Sequence, residues 1–113
     1  MELNYSELDN GIRYIKLSGT LDTMGKDSIE TQFADHCSGD GIRVVVDLSG
    51  VNYISSIGIR LLTSTAKSVG GRGGKVVLFD PIPQVKGVLE MTGIGQIVPI
   101  FHRLDLAQAA LLG

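Results

Sequence analysis

Two adjacent serines, Ser55 and Ser56, are the residues of this chain best placed to undergo chemistry. They follow an apolar, β-branched run that begins at Val44, which is typical of a buried strand, and they precede a segment of helical period. A serine hydroxyl at such a junction lies beside the unpaired N–H groups and the positive dipole end of the helix, and both favour a phosphate group. The junction therefore marks the serine pair as a candidate switch that could hold a phosphate.

The helix that begins near Ser56 has two unlike faces. Arg60, Ser64 and Lys67 fall on the side away from the predicted core. They form either an ordinary solvated helix face or, because they lie beside Ser56, a surface that contacts a partner. The apolar positions on the other side recur at helical spacing and predict packing on a sheet: Ile59, Leu62, Ala66 and Val69.

Each acceptor candidate also has a purely structural explanation. Serine is a preferred N-cap residue, so Ser55 or Ser56 can serve only to bond an exposed helix amide. Asp22 or Thr23 is predicted to cap an earlier helix over residues 24–37 in the same way. The spacing that predicts this earlier helix comes from Ile29, Phe33 and Cys37.

Length and composition limit the classes of function. The chain has 113 residues, so we expect a single domain over residues 1–113. Its formal net charge is −2 with scattered basic residues, which argues against direct binding to nucleic acid. It has neither a signal-peptide pattern nor an apolar run of about 18 residues, the length of a membrane helix. We therefore expect a cytoplasmic protein without membrane insertion.

No other cluster predicts a cofactor or metal site. The glycines over 70–74 lack the Lys-Ser/Thr ending of a phosphate loop and precede a strand, so we expect no nucleotide site there. His36, Cys37 and His102 lack the spacing of metal ligands, and Cys37, as the single cysteine, is interpreted as a packing residue at a helix end. We expect no metal and no cofactor.

The order of elements predicts an α/β fold. A hairpin followed by alternating strands and helices indicates a mixed sheet of four to five strands, with about four helices packed on it. Asn10-Gly11 predicts a type I′ turn in the hairpin, and a strand over 42–48 places Asp47 at its end as a loop-forming residue. The remaining predicted elements are a glycine-rich return over 70–74, a strand over 76–79, a helix from Pro83 to Gly93, an edge strand over 97–101 and a helix over 104–112.

The stretch from Asp47 into the Ser56 helix resembles the signature of the STAS domain, named for sulphate transporters and anti-sigma factor antagonists. The shared features are an Asp-Leu-Ser-Gly-Val strand end over 47–51, a serine pair, a glycine and an amphipathic helix. Further similar segments are Gly19-Thr20-Leu21-Asp22, residues 83–93 with Leu89-Glu90-Met91-Thr92-Gly93, and residues 105–111. The resemblance implies a single STAS-like domain.

The resemblance also implies a function: a non-enzymatic switch of the anti-sigma factor antagonist kind. In that family the unphosphorylated domain binds and sequesters an anti-sigma factor that is also a serine protein kinase. Phosphorylation releases the domain, and a serine phosphatase restores it. Aligned through Gly58, Ser56 takes the phosphoserine position, whereas Ser55 replaces the family's aspartate and Ile57 its second hydroxyl residue. Ser55 therefore remains a rival acceptor, and the family places Asp22 near the partner surface.

Two other functions remain open from the sequence. The first is a STAS accessory subunit of a larger complex, such as a lipid transport ATPase or a stressosome, without a phosphorylation switch. The second, less favoured because no phosphate loop is present, is a small nucleotide-binding α/β protein.

Overall fold

Five strands form one mixed sheet, in the spatial order β1–β2–β3–β4–β5. The computed structural model describes all residues from 1 to 113. Strands β1 and β2 pair antiparallel, and the other three pairs are parallel. The elements are β1 (Glu2–Glu7), β2 (Arg13–Leu21), α1 (Thr23–His36), β3 (Arg43–Ile54), α2 (Ser56–Gly71), β4 (Lys75–Phe79), α3 (Pro83–Thr92), a 3₁₀ turn (Ile94–Gln96), β5 (Ile100–Phe101) and α4 (Leu104–Leu112). This architecture confirms the predicted α/β fold.

The two faces of the sheet are covered unequally. Helices α1, α2 and α3 cover one face and bury the larger core, to which Ile15 and Leu17 of β2 contribute. Only α4 packs on the other face, in a smaller core with Ile12 and Val45. Because alternate strand residues point to opposite faces, the run Val44–Leu48 is buried from both sides. None of the helices is long and apolar enough to cross a membrane.

The hairpin between β1 and β2 has a longer loop than predicted. Asp9, Asn10 and Gly11 form a three-residue loop, closed by the Leu8 N–H donating to the Ile12 carbonyl at 2.8 Å. Of these residues only Gly11 has positive φ, at 82°, so the predicted type I′ turn is wrong. The Asn10 side chain instead donates to Gln108 at 2.8 Å, a contact that local sequence does not specify.

Strand β3 extends six residues beyond its predicted end, to Ile54. It stays paired with β2 across two register shifts, which lie between Lys16 and Ser18 and between Gly19 and Thr20. Asp47 therefore lies inside the strand, and its interpretation as a loop-forming residue at the strand end is wrong.

The Asp47 carboxylate is buried, with 4% of the residue exposed. It accepts hydrogen bonds from the Tyr14 hydroxyl and, at 2.8 Å, from the Ser49 N–H. These bonds offset the cost of removing the carboxylate from water. Burial and the hydrogen bond to Asp47 also raise the pKa of the Tyr14 hydroxyl.

Most helix ends lie within a residue of their predicted positions. Asp22 caps α1, and Gly93 ends α3 with a left-handed φ of 71°. Cys37 follows α1 as a buried packing residue, as predicted, and burial raises the pKa of its thiol to about 11. Two boundaries differ, because α2 includes Gly70 and Gly71 and the 3₁₀ turn shortens the last strand.

Replacing Tyr14 with phenylalanine should destabilise the fold. Tyr14→Phe removes one of the two donors to the buried Asp47 carboxylate, so we expect a loss of about 1–3 kcal/mol in the free energy of unfolding at neutral pH. Urea denaturation measures this loss. Tyr53→Phe, at a residue that is 56% exposed, is the matched control and should change stability by less than about 0.5 kcal/mol. Equal effects of the two variants would contradict the structural role of the Tyr14–Asp47 bond.

Candidate functional site

The loop that carries the serine pair is attached to the end of β2. The Ser55 N–H donates to the Leu21 carbonyl at 3.0 Å, and the Ser55 hydroxyl donates to the same oxygen at 3.3 Å. Strands β2 and β3 run parallel, so their carboxyl ends meet at one edge of the sheet. Asp22, the residue after Leu21, is therefore brought beside the serine pair, although 33 positions separate it from Ser55 in the chain.

Two glycines allow both helices to begin close to the end of β2. A Cβ at Gly58 would lie 2.7 Å from Leu21 Cγ and 2.8 Å from the Leu21 carbonyl oxygen. A Cβ at Gly25 would lie 1.9 Å from the Thr20 carbonyl oxygen. Side chains at these positions would push α1 and α2 away from the strand, so the two glycines hold the edges of the site together.

The two serines differ in what their hydroxyls contact. Ser55 is half-buried and occupies the N-cap position of α2, but its side chain bonds to Leu21 and caps no amide. Ser56 is exposed, begins the helix and forms no hydrogen bond with its hydroxyl inside the chain. The first-turn N–H groups of α2 consequently have no side-chain cap. The Ser56 hydroxyl is accessible beside the positive end of a 16-residue helix.

Asp22 has a clear structural role. Its Oδ1 accepts a hydrogen bond from the Gly25 N–H at 2.8 Å, which confirms the predicted N-cap. The residue is only half-buried, so part of the carboxylate faces the solvent near the serine loop. Its contact with a partner stays a prediction.

The three polar residues predicted on α2 are all exposed, but they lie at increasing distances from Ser56. Arg60 is one helical turn away, and its guanidinium forms no ion pair or hydrogen bond. Ser64 and Lys67 are about 12 and about 16 Å away along the axis. Ser64 also donates to the Leu61 carbonyl at 3.2 Å and lines a groove between α1 and α2. The structure therefore groups Arg60 with the serine pair more closely than Ser64 or Lys67.

Two large exposed side chains lie at this end of the sheet and were not predicted as site residues. Met24, in the first turn of α1, is 82% exposed, and Tyr53, two residues before Ser55, is 56% exposed. Tyr53 pairs across the sheet with Thr20, close to the start of α1. The sequence holds one signal for Met24, because it falls off the core face defined by Gly25 and Ile29. Nothing in the local pattern marks Tyr53, since its exposure depends on the extension of β3.

Comparison with known proteins identifies the family of this domain. The family model described as the STAS domain matches residues 6–107. The chain belongs to the STAS domain family. BtrV of Bordetella bronchiseptica, assigned by name to the anti-sigma factor antagonists, is 31% identical to this STAS domain over 110 residues, covering 97% of this chain and 94% of BtrV. The resemblance to anti-sigma factor antagonists is thus confirmed.

Solved structures show the same fold. An anti-sigma factor antagonist from Mycobacterium paratuberculosis superposes on this STAS domain with a TM-score of 0.88 at 21% identity, covering 99% of this chain and 94% of that one. The Bacillus cell fate determinant SpoIIAA, in its phosphorylated form, superposes with a TM-score of 0.70 at 15% identity, covering 96% and 98% of the two chains. At these identities the likeness establishes the fold of this STAS domain.

Substituting Gly58 should disturb the site from within. The added methyl group of Gly58→Ala would meet Leu21 at 2.7 Å, so we expect a loss of about 1–3 kcal/mol in the free energy of unfolding. We also expect displaced NMR signals of the Leu21 and Ser55 amides. Gly70→Ala, in the same helix with open space around its Cβ, is the matched control and should stabilise by about 0.5–1 kcal/mol. A Gly58→Ala variant as stable as the wild type would refute the close approach.

Proposed function

We propose that this STAS domain is an anti-sigma factor antagonist that acts as a phosphorylation-controlled binding switch, without catalysis of its own. The unphosphorylated domain binds and sequesters an anti-sigma factor that is also a serine protein kinase. The kinase transfers a phosphoryl group from ATP to Ser56 and the domain is released, after which a serine phosphatase removes the phosphate. The observation that carries the proposal is the exposed, unbonded hydroxyl of Ser56 at the start of α2.

The position of Ser56 explains how one phosphate can block binding without unfolding the domain. A phosphate adds about −1.5 to −2 charges at neutral pH. Its oxygens lie beside the uncapped first-turn amides of α2, which tolerate negative charge. At the surface, the phosphate adds negative charge near the half-exposed Asp22 carboxylate. A partner that contacts Asp22 therefore meets more negative charge after phosphorylation. The phosphate therefore lowers the affinity for the partner and leaves the domain folded.

The relatives support this assignment. BtrV is named for antagonism of an anti-sigma factor, and this chain matches it over nearly its whole length. SpoIIAA, which has the same fold, has been solved in a phosphorylated form, so a domain of this shape accommodates the modification.

We place the partner surface around Ser56, with Tyr53 and Met24 as its apolar anchors. Interface hot spots are enriched in large side chains that enter pockets of the partner, whereas rim charges mainly affect association rate and salt dependence. Tyr53 and Met24 have the exposure that such anchors need, and Asp22 and Arg60 supply charge near the starts of α1 and α2. Ser64 and Lys67, farther along α2, extend this surface on one side.

Changing Ser56 should separate binding from release. We expect Ser56→Ala to bind the partner like the wild type and to resist release by ATP, because the acceptor is lost and the surface is otherwise unchanged. Ser56→Asp should bind more weakly and remain folded, since one negative charge at a helix N-terminus stabilises by about 0.3–1 kcal/mol. Calorimetry, thermal unfolding and mapping of the phosphorylated residue measure these effects.

Ser55→Ala is the matched control for the choice of acceptor, since it removes the neighbouring hydroxyl and should still be phosphorylated. Modification confined to Ser55 would overturn the assignment of Ser56. Stable binding of wild type in ATP, with no modification of either serine, would favour the accessory-subunit function.

Truncating the apolar anchors should weaken partner binding with little change in stability. We expect Tyr53→Ala and Met24→Ala each to reduce affinity about 30-fold or more, since truncated hot spots cost at least about 2 kcal/mol. Met91→Ala is the matched control, because Met91 is 89% exposed but lies on α3.

Arg60→Glu should lower the association rate and alter its salt dependence. Asp22→Asn keeps the N-cap and tests the carboxylate charge alone.

An NMR titration with the partner checks the location of this surface independently. We expect shifts at Asp22, Tyr53, Ser56 and Arg60. Shifts confined to α4, with these four amides unmoved, would place the binding surface elsewhere.

A further inference from the structure

The connections of the sheet change face at one place only. Helices α1, α2 and α3 all pack against the larger core, whereas α4, which follows β5, packs on the opposite face. The helices after the adjacent parallel strands β4 and β5 therefore diverge. Because these two helices lie on opposite faces, a crevice is left at the carboxyl ends of β4 and β5, the end of the strands at which open α/β sheets bind ligands.

A cleft of about 810 Å³ lies at the carboxyl ends of β4 and β5. One side of α3 forms a wall, and the segments after β4 and β5 form the rim. The polar side chains and the one helical glycine that line it are Ser49, Asp80, Lys86, Gly87, Glu90 and His102.

The cleft offers charges of both signs that the chain leaves unpaired. Lys86 and Glu90 are four residues apart on α3 but form no ion pair. The same two residue types at the same spacing in α1, Lys26 and Glu30, do pair, at 2.8 Å. This spacing normally favours pairing. Because Lys86 and Glu90 are left unpaired despite it, both side chains are available to a ligand that carries the opposite charges.

Gly87 keeps the wall of the cleft open between these two side chains. It lies inside α3, where glycine destabilises a helix relative to alanine. Its φ is not positive, and a Cβ would meet nothing within 4 Å, so neither backbone conformation nor packing requires glycine here. Because glycine has no side chain, Gly87 keeps the cleft accessible, and this gives a reason for glycine at this position.

Asp80 fixes the opposite rim. It is the only non-glycine residue with positive φ, at 55°, and its N–H donates to the Phe101 carbonyl at 2.8 Å. Its carboxylate lies 3.3 Å from Nδ1 of His102. Residues held in this sparsely populated conformation cluster at ligand sites.

We propose that this cleft binds a small zwitterion of the amino-acid class. The ligand carboxylate would meet Lys86, and its ammonium group would meet Glu90, because the Asp80 carboxylate already lies against His102. One unpaired lysine beside one unpaired carboxylate disfavours a polyanion such as a nucleotide, and a simple cation would leave Lys86 unpaired. A molecule with one charge of each sign satisfies both sides, and this inference does not depend on the proposed phosphorylation switch.

The test is an NMR titration of the isotope-labelled domain with each standard amino acid at millimolar concentration. Acetate, methylamine, inorganic phosphate and ATP serve as single-charge and polyanion probes. We expect at least one amino acid to give saturable shifts at Asp80, Lys86, Gly87 and His102, with acetate and methylamine binding about tenfold more weakly or worse. Lys86→Gln should lose about tenfold in affinity or more, because one charge-assisted hydrogen bond is removed.

Two further variants keep the result interpretable. Gly87→Leu should abolish binding without lowering the melting temperature, because its side chain enters the cleft, a Cβ there meets nothing within 4 Å, and a helical glycine is removed. Lys26→Gln, the matched control on α1, should bind like the wild type. The proposal is overturned if no amino acid shifts the cleft residues, if only phosphate or ATP does, or if Lys86→Gln binds unchanged.

Discussion

The carbonyl group of Leu21 is the point on which the geometry of the candidate site depends. It accepts the N–H and the hydroxyl of Ser55, at 3.0 and 3.3 Å, and Gly58 leaves no Cβ to displace it. A buried carbonyl requires a donor, and the serine loop supplies it, so the end of β2 and the start of α2 are positioned together. Asp22 follows Leu21 directly, and its position relative to Ser56 is fixed by the same contact.

This attachment divides the two serines between two tasks. The Ser55 hydroxyl bonds to the Leu21 carbonyl and holds the loop. The Ser56 hydroxyl is exposed at the start of α2 and forms no hydrogen bond within the chain. A charge added at Ser56 meets favourable backbone amides from α2 and an unfavourable carboxylate at the surface. The proposed function requires fold stability and partner binding to respond to that charge in opposite directions, so that the switch remains folded in both states.

The unequal coverage of the sheet creates the second polar region. Three helices fill one face, while the single short helix α4 covers only part of the other. Asp47 is nevertheless buried, and its carboxylate is stable because the Tyr14 hydroxyl and the Ser49 N–H bond to it. The cleft beside Asp80 opens where the chain changes face, because no connecting helix crosses the ends of β4 and β5 together.

The sequence by itself determined the features that depend on residues within one helical turn of each other. Helical spacing located α2 and its core face, Asp22 and Gly93 marked helix ends, and the order of elements indicated the α/β class and, with the motif around Ser56, the STAS family. The tertiary structure decided whatever depends on the pairing of β2 with β3: the extension of β3 to Ile54, the burial of Asp47, and the position of Asp22 beside the serine pair. These contacts join positions about 30 or more residues apart, or depend on such pairing, and local patterns carry no information about the register that brings them together.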